Sequence, residues 1–536
     1  MNRIPAHYWF AGLCLAWLLP GLVGHAPWKG PDAETFVRLL AARQEGDWLF
    51  PFSGGGKAHV MSQLYLWLAQ GLGALLAGVL PLHDAARLAS GIFVAFSFWL
   101  TALTARTLYG TGAVWPAVLA LIGCMGLLVP AHEINPYTAQ LAALSLFAYG
   151  LARMLKQPLR GGGLAGLGLV ALFLSGAWLA ALAFATVLLV LPLALPSWRT
   201  SARVGGSWFA LTGAFALCGV WMLSVQAHYP GRLADWWVHA ALEQTVFGMT
   251  EKTRYNPLYF LNALSWFAWP AWLLAGWAVY RLRRQGWNSV KLWLPLGVFA
   301  VALTALSLQT DPEQIQAIIL LPTLALLAGA GLGELKRGAA NALLWFSLMI
   351  FSFFALVFWI YWAAFDLGWP LQLARRLARL GLESQGLRPL ALGLGLLITL
   401  AWVGWLVWLR GRPRFPQRPM LVWSVGVTFV WTLLMALFMR PLDGRLSYAQ
   451  VGQEIKTKAA GANCIATQNI DVLHVQLLAY HSGLQLRTDD VSACGWLLLG
   501  QKNRKSLFLD ASWKKRWEGG LPGEKDTRLR LYRREG

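Results

Sequence analysis

Residues 18–57 read LLPGLVGHAPWKGPDAETFVRLLAARQEGDWLFPFSGGGK, and the chemistry changes along the stretch. Leu18 to Val23 closes an apolar run that opens at Tyr8, and Gly24 to Asp32 is punctuated by Pro27, Gly30 and Pro31. From Phe36 to Arg43 apolar residues recur at helical spacing with charge between them. A crossing helix, a stiff turn carrying carboxylates and an amphipathic surface helix, in that order, put acids at a membrane face.

The rest of the chain answers to the same solvent. Of 536 residues, 57% are hydrophobic and 13% charged, where a soluble domain has about 25% charged. That excludes an ordinary soluble enzyme, a disordered chain and a disulfide-built scaffold, while 31 Trp and 54 Gly suit membrane helices. About thirteen apolar segments are long enough to be read as spans: 8–23, 88–108, 113–129, 136–154, 164–175, 178–195, 208–225, 258–280, 292–308, 315–332, 339–365, 390–409 and 421–439. Segment 63–76 is apolar as well, but a crossing there would invert every later loop, so it is read as interfacial.

Loop charge alternates. One set holds Arg106, Arg153, Lys156, Arg160, Arg199, Arg203, Arg281 to Lys291, Lys336, Arg337 and Arg410 to Arg418, and is cytoplasmic by the positive-inside rule, with the N-terminus. The other set, 24–87, 132–135, 226–257, 309–314 and 368–389, holds the acids and faces outward, as does everything after Met439. Much of the net charge of +21 therefore reports topology, and nucleic acid is not a partner expected for an external domain. Residues 440–536 are polar, with helix-like 448–460 and 472–480 and strand-like 464–467, 496–499 and 506–509, a small α/β domain.

Several residues carry two readings each. Asp32 can act as a general base on a hydroxyl acceptor, or cap the helix that follows with Glu34 in its first turn. Glu133, in the turn His132-Glu133-Ile134-Asn135-Pro136 on the same face, is a functional acid or an interfacial helix-turn acid. Asp311-Pro312 with Glu313 reads as a helix start. His59, His132 and Glu133 fall on one side, but no spacing specifies a metal site, so no cofactor is predicted and a divalent ion stays an open alternative. Ser53 to Lys57 is not a nucleotide loop, because Pro51 and Ala58 replace the required Gly and Ser or Thr. Arg375, Arg376, Arg379 and Arg388 break the charge rule: they form an amphipathic helix for anionic headgroups, or their loop belongs inside. The basic residues from Lys502 to Arg534 face an anionic lipid surface, an acidic glycan or plain solvent. Cys464 and Cys494 share the external domain, where a disulfide is permitted but not fixed by their spacing.

The order Asp32, Gly46-Asp47-Trp48, Lys57 and Tyr65-Leu66-Trp67, followed by Ala86-Arg87-Leu88 and Asn256-Pro257-Leu258-Tyr259, resembles the membrane glycosyltransferases of the GT-C class. The likeness is strongest to the aminoarabinose lipid A transferases and their protein O-mannosyltransferase-like relatives, and its sharp motifs lie near the N-terminus. It implies an α-helical polytopic membrane protein of the GT-C fold, residues 1–439, with its catalytic loop at about 24–87, and a small periplasmic α/β domain, 440–536. It implies inverting transfer of a sugar from a polyprenyl (undecaprenyl) phosphate donor to a lipid A, glycan or protein acceptor, at the periplasmic face of a bacterial inner membrane. Asp32 would be the general base, Glu34 and Glu133 a second acid or acceptor-positioning groups, and Lys57, Arg254 and Tyr255 the holders of the lipid phosphate.

There are departures. Asp32-Ala33-Glu34 replaces an adjacent Asp-Glu, Lys57-Ala58-His59 replaces Lys-Pro-Pro, and no Lys occurs between Gln314 and Pro322. The sugar and acceptor of the known members therefore do not carry over. The rival class is a transporter or flippase of lipid-linked sugars, which predicts broken spans with ionisable residues at mid-membrane. Membrane lipids are partners in either class.

Overall fold

The computed structural model describes residues 6–46, 48–50, 62–242, 245–249, 254–286, 289–379, 386–413, 415–488, 494–502, 512–522 and 527–535. Lys57 and His59 lie outside these residues.

Helix α1 (Ala6–Leu18) is apolar and gives way to a turn at Pro20 and Gly21. Gly30, at φ 97°, turns the chain in a conformation that favours glycine, and Pro31 opens α2 (Pro31–Glu45) at a position where a missing N–H costs nothing. α3 (Gln63–Leu75) starts at Ser62, whose Oγ accepts the Tyr65 N–H at 3.2 Å. With 13 residues it is about 20 Å long, too short for a hydrocarbon core of about 30 Å. It packs instead along α4 (Leu82–Tyr109).

Seven described helices are long and apolar enough to cross a membrane; the pair Thr111–Ile122 and Met125–His132, bent by 73°, is an eighth if counted as one. Shorter apolar helices stand at Tyr8–Leu18, Pro158–Leu174 and Trp178–Ala194. Each of the segments marked in the sequence falls on a helix or a helix pair, and several of them are short or bent. Segment 113–129 is bent, and segment 258–280 breaks at Pro270 into Tyr259–Phe267 and Ala271–Leu282. A short or kinked helix shielded by its neighbours has the same apolar composition as one that crosses alone. At the bend, the Gly123 carbonyl accepts the Trp423 indole N–H at 2.8 Å and the Leu119 carbonyl accepts the Ser424 hydroxyl at 2.7 Å. Protein groups thus replace helix hydrogen bonds where no water is present.

The last membrane helix runs Arg418–Leu446, past residue 440. Beyond it, helices Ala449–Lys458 and Val472–Ser482 accompany a five-stranded sheet. Its strands are β1 (Ile465–Gln468), β2 (Leu486–Arg487), β3 (Trp496–Lys502), β4 (Trp513–Gly520) and β5 (Thr527–Arg534), ordered β2-β1-β3-β5-β4. The β1 pairs with β2 and β3 are parallel, and the β3–β5 and β5–β4 pairs antiparallel. Leu529 and Leu531 of β5 are buried beneath alternating arginines, as strand geometry requires. The expected strand 506–509 lies outside the described residues. Phe36, Leu39 and Tyr65 share one apolar cluster with Tyr448, Leu477 and Leu478, which seats this domain on the opening loop.

Cys464 and Cys494 form a disulfide with Cα atoms 5.6 Å apart, closing a separation of 30 residues. Replacing both by Ser should destabilise the domain by about 3 kcal/mol. Protease sensitivity of the domain against temperature, in mild detergent, checks this.

Candidate active site

The loop between α1 and α2 is held by side chains. The N–H of Gly24 donates to Asp84 Oδ2 at 3.0 Å, that of Ala26 to Asp443 Oδ1 at 3.0 Å and that of Trp28 to Asp32 Oδ2 at 2.7 Å. Arg87, fully buried, takes carbonyls of the same loop: Nη1 donates to His25 O at 3.2 Å and Nη2 to Ala26 O at 3.5 Å. Its remaining contacts are ionic, with Asp84 at 2.9 Å and Asp32 at 3.3 Å. The Trp28 indole N–H also reaches Asp443, and the Lys29 N–H reaches Leu446 O at 2.8 Å. Elements far apart in sequence thereby meet at one turn.

Asp32 is correspondingly enclosed. Its Oδ1 accepts the Ile134 N–H at 2.7 Å, and its Oδ2 accepts from Trp28 and Arg87. The capping reading is corrected, since Gly30 is the N-cap and no side chain caps α2. Asp32 has no exposed area. Glu34 is exposed and pairs loosely with Arg38 at 3.9 Å, one helical turn on.

Ile134 belongs to the turn that carries Glu133. A small network fixes this turn: Ser90 Oγ donates to Glu133 O at 2.6 Å, and the Asn135 N–H reaches Ser90 Oγ at 3.1 Å and the Tyr65 hydroxyl at 3.2 Å. Burial, and then the charge of Asp32, push the Glu133 carboxyl up to about 8, with Arg87 opposing. His25 has carbonyls at both ring nitrogens, Ala26 O at 2.9 Å and Gly21 O at 3.0 Å. Burial and the Arg87 charge push it down to about 4, so it is neutral at pH 7 and donates to one carbonyl only.

His132 does not join this site as a ligand, because Nδ1 faces Leu128 O at 2.6 Å and Nε2 faces Trp17 O at 3.0 Å. Among the described residues no group of three His, Cys, Asp or Glu side chains converges on a metal position. Arg254 and Tyr255 are exposed, and the Arg254 carbonyl accepts the Asp311 N–H at 2.9 Å. Glu313 forms a capping box with Gln316, as expected of a helix start. Burial, and then the charge of nearby Glu34, push its carboxyl up. Arg375 and Arg376 lie elsewhere, exposed on the helix Leu371–Arg379. The basic β-strands of the C-terminal domain are partly neutralised: Lys514 and Arg516 pair with Glu535, and Lys515 and Arg530 with Glu518. Asp84, Arg87 and Asp443 are residues that sequence reasoning passed over. The Ala86-Arg87-Leu88 motif was their visible trace.

No protein-family profile and no curated protein matches the sequence. The fold defines the class: a mostly helical, multi-span membrane protein of GT-C architecture carrying a C-terminal mixed sheet. The chain is similar to ArnT from Cupriavidus metallidurans, crystallised bound to undecaprenyl phosphate, with a TM-score of 0.70 at 14% identity over 98% of this chain and 97% of that one. The apo crystal structure of the same ArnT gives a TM-score of 0.66 at 14% identity, over 98% of each chain. The apo oligosaccharyltransferase of Archaeoglobus fulgidus gives 0.43 at 11% identity, over 89% of this chain and 64% of that one.

Replacing Arg87 by Leu would leave Asp32 and Asp84 buried without their counter-charge, a loss of about 3–5 kcal/mol. A thermal melt of the detergent-purified variant should show a large drop, and Arg87→Lys a smaller one, because an ammonium cannot span both carboxylates and both carbonyls.

Proposed function

We propose that this chain is a membrane glycosyltransferase using a polyprenyl phosphate sugar. The fold carries this assignment: it matches, over nearly the whole of both chains, an ArnT crystallised with undecaprenyl phosphate. The acceptor, a lipid, glycan or protein at the periplasmic face, attacks the anomeric carbon through its hydroxyl oxygen. The bond from that carbon to the phosphate oxygen breaks, polyprenyl phosphate leaves with the electron pair, and in-line attack inverts the centre. The leaving oxygen gathers negative charge, which calls for cations. Lys57, Arg254 and the Tyr255 hydroxyl are assigned that role.

The acceptor proton goes to the carboxylate pair Asp32 and Glu133. The resemblance to GT-C enzymes gives it to Asp32. Where it sits, however, Asp32 has no exposed area and already accepts from two backbone N–H groups and an arginine, so its oxygens are spent on the protein rather than open to an acceptor hydroxyl. Glu133 is a half-buried carboxyl beside the Asp32 charge, and its raised pKa suits a base working near neutrality. We therefore assign Asp32 to hold the turn and supply the charge, and Glu133 to receive the proton. Glu34, with Glu313, stands on the acceptor side.

A flippase of lipid-linked sugars predicts broken spans, and the 73° bend is one. The residues at that bend are Gly123 and Cys124, and the Gly123 and Leu119 carbonyls are satisfied by Trp423 and Ser424, so the ionisable groups that reading also needs are not at the break. A flippase moves labelled lipid-linked sugar without consuming it, whereas a transferase releases polyprenyl phosphate. Mass spectrometry of envelope lipids and surface glycans, with and without the protein, identifies the modified acceptor.

Glu133→Gln should lower the transfer rate by about 10²–10⁴ with little change in melting temperature. Because the base must be ionised, the wild-type rate should climb with pH toward about 8, and the residual rate of the variant should lack that climb. Asp32→Asn should lose both activity and stability, since an amide nitrogen in place of either oxygen meets a donor. A fully active Glu133→Gln would return the proton to Asp32.

A further inference from the structure

The helix Leu371–Arg379 has two faces with different fates. Leu373, Ala374 and Leu377 pack on Ala364 and Phe365, while Arg375, Arg376 and Arg379 project from the opposite side, exposed. Its apolar stripe is thus already covered by protein, and what it presents outward is guanidinium. The nearby acid does not neutralise them: Asp366 is held through both oxygens by Arg388 at 2.9–3.2 Å. This differs from the basic strands of the C-terminal domain, whose cations share Glu518 and Glu535.

Position says what the arginines meet. The helix joins Arg337–Leu367 to Pro389–Arg410, both long and apolar enough to cross, so it lies where two crossings end. Arg388 also donates to Leu437 O at 3.0 Å, on the last membrane helix, whose Leu446 carbonyl takes the Lys29 N–H beside Asp32. The helix therefore sits on the same side of the membrane as the Asp32 loop. Trp369 and Leu371, 70% and 56% exposed, flank the arginines. An aromatic and an aliphatic side chain next to cations is the composition of a headgroup-level contact, whereas a soluble anion has no use for them.

We propose that this helix binds acidic phospholipid headgroups of the leaflet on the Asp32 side and is held down on that leaflet by them. Clamping by Asp366 and Arg388 fixes the helix so that its arginines face the lipid. The association is independent of whether the chain transfers a sugar. Each arginine contributes roughly fivefold and the three together on the order of a hundredfold in preference for an anionic over a neutral surface.

The test is hydrogen–deuterium exchange of the full chain in nanodiscs of phosphatidylcholine alone or with about 30% phosphatidylglycerol. Amides of 371–379 should exchange more slowly with phosphatidylglycerol, and the protection should vanish in about 1 M salt and in Arg375→Gln/Arg376→Gln/Arg379→Gln. The same variant in pure phosphatidylcholine should exchange like wild type, which shows the helix intact, and Arg410→Gln/Arg412→Gln at the opposite end of the next span should keep the protection. Equal exchange in the two bilayers, protection that survives in the triple variant, or equal protection by inorganic phosphate in the neutral bilayer each overturns the proposal.

Discussion

A buried guanidinium holds this molecule together where its chemistry is expected. Arg87 has no exposed area and touches two carboxylates and two carbonyls, while its Nε has no partner. Sealing a charge away from water costs several kcal/mol unless partners replace the water. The loop 24–28, the start of α2 and the first turn of α4 supply those partners, so their mutual position is the condition under which Arg87 can be buried at all. The last membrane helix enters the same knot, because its Asp443 and Leu446 bind the loop.

Charge in this knot is distributed unevenly, and the imbalance has chemical content. Asp32 is compensated and Glu133, reached through the adjacent Ile134 N–H, is not. Burial and the neighbouring charge of Asp32 raise the Glu133 carboxyl, while Arg87 opposes them. The Tyr65, Ser90 and Asn135 network keeps the Glu133 turn from relaxing away from that anion.

Much of this architecture was legible in the sequence. Apolar run length located the membrane helices, helical spacing from Phe36 to Arg43 located the body of α2, and the Val472 helix and β1 followed from periodicity. What escaped has identifiable physics. Asp84, Arg87 and Asp443 each flank or end a membrane helix, where a single charge reads as an interfacial anchor, and only the packed structure brings them to one loop. β4 and β5 were hidden because their alternation is leucine or tryptophan against arginine and lysine, which in isolation resembles a solvated basic tract. His132 read as a candidate ligand because sequence cannot show that both its nitrogens are spent on carbonyls. Bends within the spans escaped because length and hydropathy do not register them.

The alternation of donors along the opening loop has a consequence for which residues it tolerates. Its N–H groups at 24, 26 and 28 are each claimed by a different aspartate, so the loop behaves as an edge strand whose neighbour is assembled from side chains. Such a strand accepts proline only out of register, where no N–H is being used. Pro27 sits between two claimed positions and stiffens the loop without breaking a bond, while proline at Gly24, Ala26 or Trp28 would delete one contact and leave an aspartate with one donor fewer. The register of a single proline is thus a signature by which the same carboxylate-laced loop could be sought in other chains.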